Sequence, residues 1–273
     1  MHYLFTALRA EAAVLIREWN LKPSDRLNAC YENGSAVLSV TGTGPLSASA
    51  SCGAVLAAYG CSDNDIVINA GIAAAVNGGE ADRIYAVNKI HDIASGRDYY
   101  PDLIPLSSCP EAMLYTGAVP FVKEEAAQYR NDEPVVLYDM EAAGIMHAAS
   151  GFLPPHRIRV LKLVSDFGDT RTLQFDPAWA ETIAEAVQRD LSRMETVPPC
   201  PQKQTPDCDA LARELHATTA MKRRLEQALR YAELAGLDWQ KTAAEYRKAG
   251  LLPAKDKQAG IQLLERLIYD LQN

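Results

Sequence analysis

The 273-residue chain is 48% hydrophobic and 23% charged, with a formal net charge of −8, a composition ordinary for a soluble globular protein that supports a buried core and gives no argument for disorder. Residues 197–273 hold 12 Lys and Arg against 10 Asp and Glu, so the acidity belongs to the first 196 residues. An acidic body argues against nucleic acid as the main ligand, because phosphate binding needs clustered cations.

In chain order, the apolar run Leu4 to Leu8 reads as a strand, and Arg9-Ala10-Glu11 opens a helix that buries Ala13, Val14 and Ile16. Leu27 to Tyr31 and Ala36 to Val40 read as a hairpin around Glu32-Asn33-Gly34-Ser35. Thr41-Gly42-Thr43-Gly44-Pro45 follows, then an Ala- and Ser-rich helix from Leu46 to Tyr59. Strand, glycine loop and helix form an anion-binding arrangement, because helix-start N–H groups face outward with the dipole behind them. The same spacing also makes an ordinary tight turn, and both readings stay open.

Asp65 to Gly71 is the clearest buried strand, and small residues carry it through Ile72 to Val76 into a central position. Arg83 to Ile90 reads as a strand, His91-Asp92 as the start of a polar loop, and Ala112 to Thr116 as a further strand. Gly117 to Phe121 turns into a helix around Lys123 to Tyr129, and Val135 to Tyr138 and Ile158 to Val164 supply two more strands. Trp179 to Met194 closes the pattern as an amphipathic helix. Alternation of this kind predicts an α/β fold: a mixed, twisted central sheet covered by helices on both faces.

Val197-Pro198-Pro199-Cys200-Pro201 can be neither helix nor inner strand, which places a boundary there. The expected organisation is an α/β domain over 1–196, a Pro-rich linker over 197–204 and a helical appendage over 205–273. In that appendage Thr205-Pro206 reads as a helix cap leading into a long helix through Leu211, Leu215, Leu225 and Leu229. Asp238 caps a second helix, and a third runs from Gln258 or Ala259 to Leu271. The cysteines at 30, 52, 61, 109, 200 and 208 show no C-x-x-C spacing, so they signal neither zinc nor a redox motif. They read as mostly reduced and buried, with Cys200 and Cys208 spaced so that a bridge stays open. No apolar run reaches the roughly 18 residues of a membrane span, and no secretory signal precedes the first strand. The expectation is a soluble cytoplasmic protein without a membrane partner.

Glu11, Glu141 and Asp166 stand at strand-to-helix switches, where open α/β sheets place their ligands. A first-turn acid is also favourable at any helix N-terminus by a few tenths of a kcal/mol, which explains one such residue more readily than all of them in one crevice.

Ala7-Leu8-Arg9-Ala10-Glu11, Thr41-Gly42-Thr43-Gly44, Val67-Ile68-Asn69-Ala70-Gly71, Asp139-Met140-Glu141-Ala142-Ala143 and Val164-Ser165-Asp166 occur in this order. The set resembles the nucleoside phosphorylase and nucleosidase superfamily, and within it looks most like the 5′-methylthioadenosine/S-adenosylhomocysteine nucleosidases. The likeness covers residues 1 to about 196; the tail has no counterpart in that pattern. It implies cleavage of a purine N-glycosidic bond, with a place in nucleoside catabolism and methionine salvage, a purine nucleoside as partner, no cofactor or metal, and a homodimer.

By the same resemblance Glu141 accepts hydrogen bonds from the ribose hydroxyls, for which two carboxylate oxygens suit a vicinal diol. Met140 packs on the sugar and Phe121 stacks on the base. Asp166, beside Ser165, protonates purine N7 and must hold a proton to do so. Glu11 orients the attacking water as the sugar gains oxocarbenium character. Asn69, Gly71 and Ile72 complete the substrate-binding set. Superfamily phosphorylases place an Arg near Asn69 and a Ser or Thr near Ile72 to hold phosphate. The absence of that charge favours water, while the loop Thr41, Gly42, Thr43, Gly44, assisted by Arg9, keeps phosphorolysis open. The chain departs from the nucleosidase pattern at Asp139 (usually Glu), Lys162 (commonly Arg) and Ile72 (typically a small hydroxyl residue). A futalosine-type hydrolase and a catalytically weak nucleoside-binding module are the remaining alternatives.

Overall fold

A computed structural model describes residues 1–129, 132–169, 174–197 and 208–272. They divide into two compact units, Met1–Cys200 and Pro201–Asn273. The first is built in the order β1 (His2–Thr6), α1 (Arg9–Glu18), β2 (Lys22–Pro23), β3 (Cys30–Glu32), β4 (Ala36–Val40), α2 (Pro45–Tyr59), β5 (Ile66–Asn77), β6 (Ile84–Asp92), β7 (Arg97–Tyr99) and β8 (Glu111–Thr116). It continues with α3 (Ala126–Tyr129), β9 (Val136–Asp139), α4 (Ala142–Ala149), β10 (Ile158–Asp166) and α5 (Pro177–Met194). Short 3₁₀ turns at Lys123–Glu125 and Pro155–Arg157 precede α3 and β10.

The strand β5 organises this unit. Its first half lies parallel to β1 on one side and to β10 on the other, while Ala74, Ala75 and Asn77 pair antiparallel with β9. From β9 the pairing runs to β8, then β6, then back to β10, so these strands close a ring through β5. A wing of β1, β4, β3 and β2 extends the sheet outward. Closure needs a strand that can bend sharply, and the Gly and Ala run over 70–75 supplies the small side chains that permit it. Alternation along β5 feeds two cores: Val67, Ala73 and Ala75 pack with α2 and α4, and Ile66, Ile68 and Ala70 with α1 and α5. Helices therefore cover both faces, as the alternation predicts.

His91 does not begin a loop. It sits in β6, paired with β7, and its Nδ1 lies 2.7 Å from Asp98 Oδ1. The strand partner that the local spacing did not reveal is supplied by the turn that β7 completes.

In the second unit the expected long helix is two helices, α6 (Asp209–Glu214) and α7 (Thr219–Leu234), followed by α8 (Trp239–Lys248) and α9 (Lys257–Gln272). The break follows from His216, with φ 48°, and from Thr218, whose hydroxyl caps α7 by accepting from Met221 N at 3.3 Å. Asp238 caps α8 as expected, accepting from Lys241 N at 3.0 Å. Leu225, Leu229, Leu264 and Leu267 form its buried centre. The expected cap at Thr205-Pro206, most of the Pro-rich stretch and Cys200 lie outside the described residues. Among the described cysteines all are free thiols, Cys30, Cys52, Cys109 and Cys208 buried and Cys61 half-buried. No helix among the described residues is long and apolar enough to cross a membrane.

Candidate active site

A cavity of about 220 Å³ opens where the ends of β1, β9 and β10 meet the middle of β5. Glu11, Thr43, Ile72, Phe121, Met140, Glu141, Ser165 and Asp166 line it together with Ala7, Leu8, Ala73, Ala74, Pro120, Tyr138 and Asp139. The acids at 11, 141 and 166, which lie far apart in the chain, thus converge. Asp166 ends a strand without starting a helix. The turn at Gly168 (φ 75°) follows it, and α5 begins only at Pro177, capped by Asp176.

Glu11 is 1% exposed. One oxygen accepts from Leu8 N at 2.8 Å, reaching back across the first turn of α1 as a helix-capping acid does, and the other accepts from Ile72 N at 2.9 Å. The carboxylate that caps α1 is therefore also one that lines the cavity. Gly71 makes the geometry possible, since a β-carbon there would sit 2.7 Å from Glu11 Oε1. Burial pushes the Glu11 pKa up, against the opposing pull of the Leu8 and Ile72 N–H groups and the Lys162 ammonium.

Glu141 precedes α4, and its Oε1 accepts from Gly44 N at 3.1 Å, at the N-terminus of α2. The helix-start anion position foreseen for the loop 41–44 is thus occupied by the protein's own carboxylate. Burial, and then the nearby Asp139, push the Glu141 pKa up to about 7. Asp139 lies beneath, accepting from Thr116 Oγ1 at 2.6 Å and Ala142 N at 2.9 Å, with Lys162 Nζ 2.8 Å from its Oδ2. Lys162 is 1% exposed. Burial works to lower its pKa, but Asp139, Glu141 and Glu11 together hold it above its ordinary value. One buried ammonium thus serves a cluster of carboxylates.

Asp166, which also lines the cavity, accepts from Ser165 Oγ at 2.8 Å and from Gly168 N at 2.8 Å. Phe121 packs against Tyr138, ring centroids 5.4 Å apart. Other residues of the expected set are not among those that line the cavity. Asn69 Nδ2 donates to Phe5 O at 3.1 Å, Thr41 Oγ1 donates to Gly42 O at 2.8 Å, and the Arg9 guanidinium lies 4.5 Å over the Tyr31 ring. Sequence reasoning missed the Asp139–Lys162 pair as a unit. Its signal was present: a lysine in the middle of the apolar strand Ile158 to Val164 needs a buried partner.

The mixed sheet closed through one long strand, with helices on both faces and a cavity at the strand ends, is a fold that this chain shares with solved nucleosidases. Solved structures with this fold include 5′-methylthioadenosine/S-adenosylhomocysteine nucleosidase from Helicobacter pylori with butyl-thio-DADMe-Immucillin-A, similar at TM-score 0.57 and 14% identity, over 70% of this chain and 97% of that one. The nucleosidase of Neisseria meningitidis in complex with methylthio-immucillin-A matches at TM-score 0.55 and 20% identity, over 72% and 99%. Native futalosine hydrolase of Helicobacter pylori matches at TM-score 0.57 and 14% identity, over 71% and 96%. No family model matches the sequence, and no curated protein is matched by it.

Proposed function

We propose that the protein hydrolyses the N-glycosidic bond of a purine nucleoside, an adenine nucleoside with an apolar 5′ group, by direct attack of water. The observation that carries this reading is the placement of Glu11, a buried carboxylate held by two backbone N–H groups, in one cavity with Glu141 and Asp166. Water adds to the anomeric carbon as the bond to the base nitrogen breaks. Glu11 takes a proton from that water, and Asp166 gives one to N7, so the base leaves neutral. Glu141 holds the ribose diol, Met140 packs on the sugar and Phe121 stacks on the base.

Water is favoured over phosphate because the α2 N-terminus already faces Glu141 and, among the described residues, no Lys or Arg lines the cavity. Apolar Ile72, Met140 and Phe121 suit an apolar sugar substituent. The exposed apolar side chains of Leu46 and Val119, 85% and 63% exposed, are consistent with pairing to a second copy of the chain. The test is incubation with a panel of purine and pyrimidine nucleosides, with free base followed by chromatography. Adenine release is expected, and release of only a pyrimidine would defeat the reading. Glu11→Gln and Asp166→Asn should each lose about 10² to 10⁴ in rate; near-wild-type rates in both would place the site elsewhere.

A further inference from the structure

Phe121, from the segment before α3, and Asp166, at the end of β10, are distant in sequence, and the turn after Asp166 joins the two at one residue. Gly168 N donates to Asp166 Oδ1 at 2.8 Å, and Gly168 O accepts from Lys123 N at 3.2 Å. The Phe121 ring fills the space where a side chain would start: a β-carbon on Gly168 would lie 2.6 Å from Phe121 Cδ1 and 2.8 Å from Lys123 N. With φ at 75°, the position also disfavours any residue that carries a β-carbon. The exposed pair Lys123 Nζ–Asp169 Oδ1, at 2.9 Å, clasps the same segments from outside. The ring is backed by Tyr138 and Tyr129, at centroid distances of 5.4 and 6.2 Å, so it has little room to retreat from Gly168.

We propose that Gly168 is a positioning residue that makes the stacking ring and the proton donor one mechanical unit, so that seating a base on Phe121 aims the Asp166 carboxyl at it. This rests on the reading of the site as a purine nucleosidase. A base that displaces the ring moves the backbone N–H that orients Asp166, and a base that seats correctly leaves that hydrogen bond intact. Recognition of the base is thereby expressed in turnover as well as in affinity.

The test is a double-mutant cycle of Gly168→Ala and Phe121→Ala on the best nucleoside substrate. Gly168→Ala alone should lower kcat by roughly 10- to 100-fold, the scale of an ångström-sized misplacement, with KM changed far less. With Phe121 already removed, the same substitution should cost at least about threefold less than it does in the wild type, because the clash with the ring is gone while the contact with Lys123 N and the positive φ remain. Equal losses in both backgrounds would overturn the proposal. Should Gly168→Ala fold poorly, Lys123→Met and Asp169→Asn loosen the junction from its exposed side. Each should lower kcat by roughly two- to fivefold, as suits a surface pair, with Lys123→Arg restoring it; unchanged kcat in both would also overturn it. The same cycle is read in the affinity for free adenine by calorimetry. If the wild type releases no base from any nucleoside, the nucleosidase reading fails, while non-additive adenine affinities still support the junction. Additive affinities, or no adenine binding at all, refute it.

Discussion

Glu141→Gln should change how stability depends on pH. Burial and Asp139 raise the Glu141 pKa from an ordinary 4.5 to about 7 in the folded protein. Below pH 4.5 both folded and unfolded states carry the proton, and the residue contributes nothing to the pH dependence. Between 4.5 and 7 the unfolded chain releases its proton while the folded one retains it, so stability falls as pH rises; above 7 the loss levels off. The difference in pKa corresponds to about 3 kcal/mol at pH 8. Gln keeps the shape and an oxygen for Gly44 N but has no proton to lose. Urea unfolding at intervals from pH 4.5 to 8 should show the wild type losing stability with pH more steeply than the variant, and the variant the more stable of the two at pH 8. The residual slope in the variant includes Glu11, whose pKa burial also raises, and, with the opposite sign, His2, whose pKa burial lowers. Parallel curves for the two proteins would refute the claim that burial and Asp139 hold the Glu141 pKa up in the folded protein.

Gly71→Ala should lower kcat about 10²-fold and cost a few degrees in melting temperature, because the new methyl group pushes the buried Glu11 carboxyl, which also caps α1, from its seat on Ile72 N. A kcat within threefold of wild type would show that Glu11 does not need that seat. Lys162→Met should destabilise the fold by about 3 to 5 kcal/mol in urea unfolding, by leaving Asp139 buried and unpaired, and Asp139→Asn added to it should recover part of the loss. No recovery would mean that the pair does not act as one. Residues 208–273 expressed alone should melt cooperatively by circular dichroism, given the buried leucines at 225, 229, 264 and 267; a random-coil spectrum would sink the idea that this unit folds by itself.

The legible parts of this chain were those where one residue's period or chemistry suffices. Alternating apolar runs located β4, β5 and β10, and carboxylates at strand ends located Glu11, Glu141 and Asp166. Ring closure through β5 was not legible, because a strand that changes partners halfway leaves the same apolar pattern as one that does not. The boundary between α6 and α7 was missed for a local reason: leucines at 211, 215, 225 and 229 keep helical spacing across the break, and only the Thr218 cap marks it. At the site, Asn69 and Arg9 look from sequence like candidates to face a ligand, yet Asn69 donates to the β1 backbone and Arg9 stacks on Tyr31. Those partners come from other strands, which a linear pattern does not show. The filling of the α2 N-terminus by Glu141 is of the same kind, a contact between residues 97 positions apart.

The central claim is that water, seated by Glu11, is the nucleophile. It is tested most directly by running the reaction in ¹⁸O-labelled water with phosphate present and analysing the sugar product by mass spectrometry. The account predicts a free ribose derivative carrying one label at the anomeric oxygen, formed equally fast with and without phosphate. An unlabelled sugar 1-phosphate, formed only when phosphate is present, would contradict it.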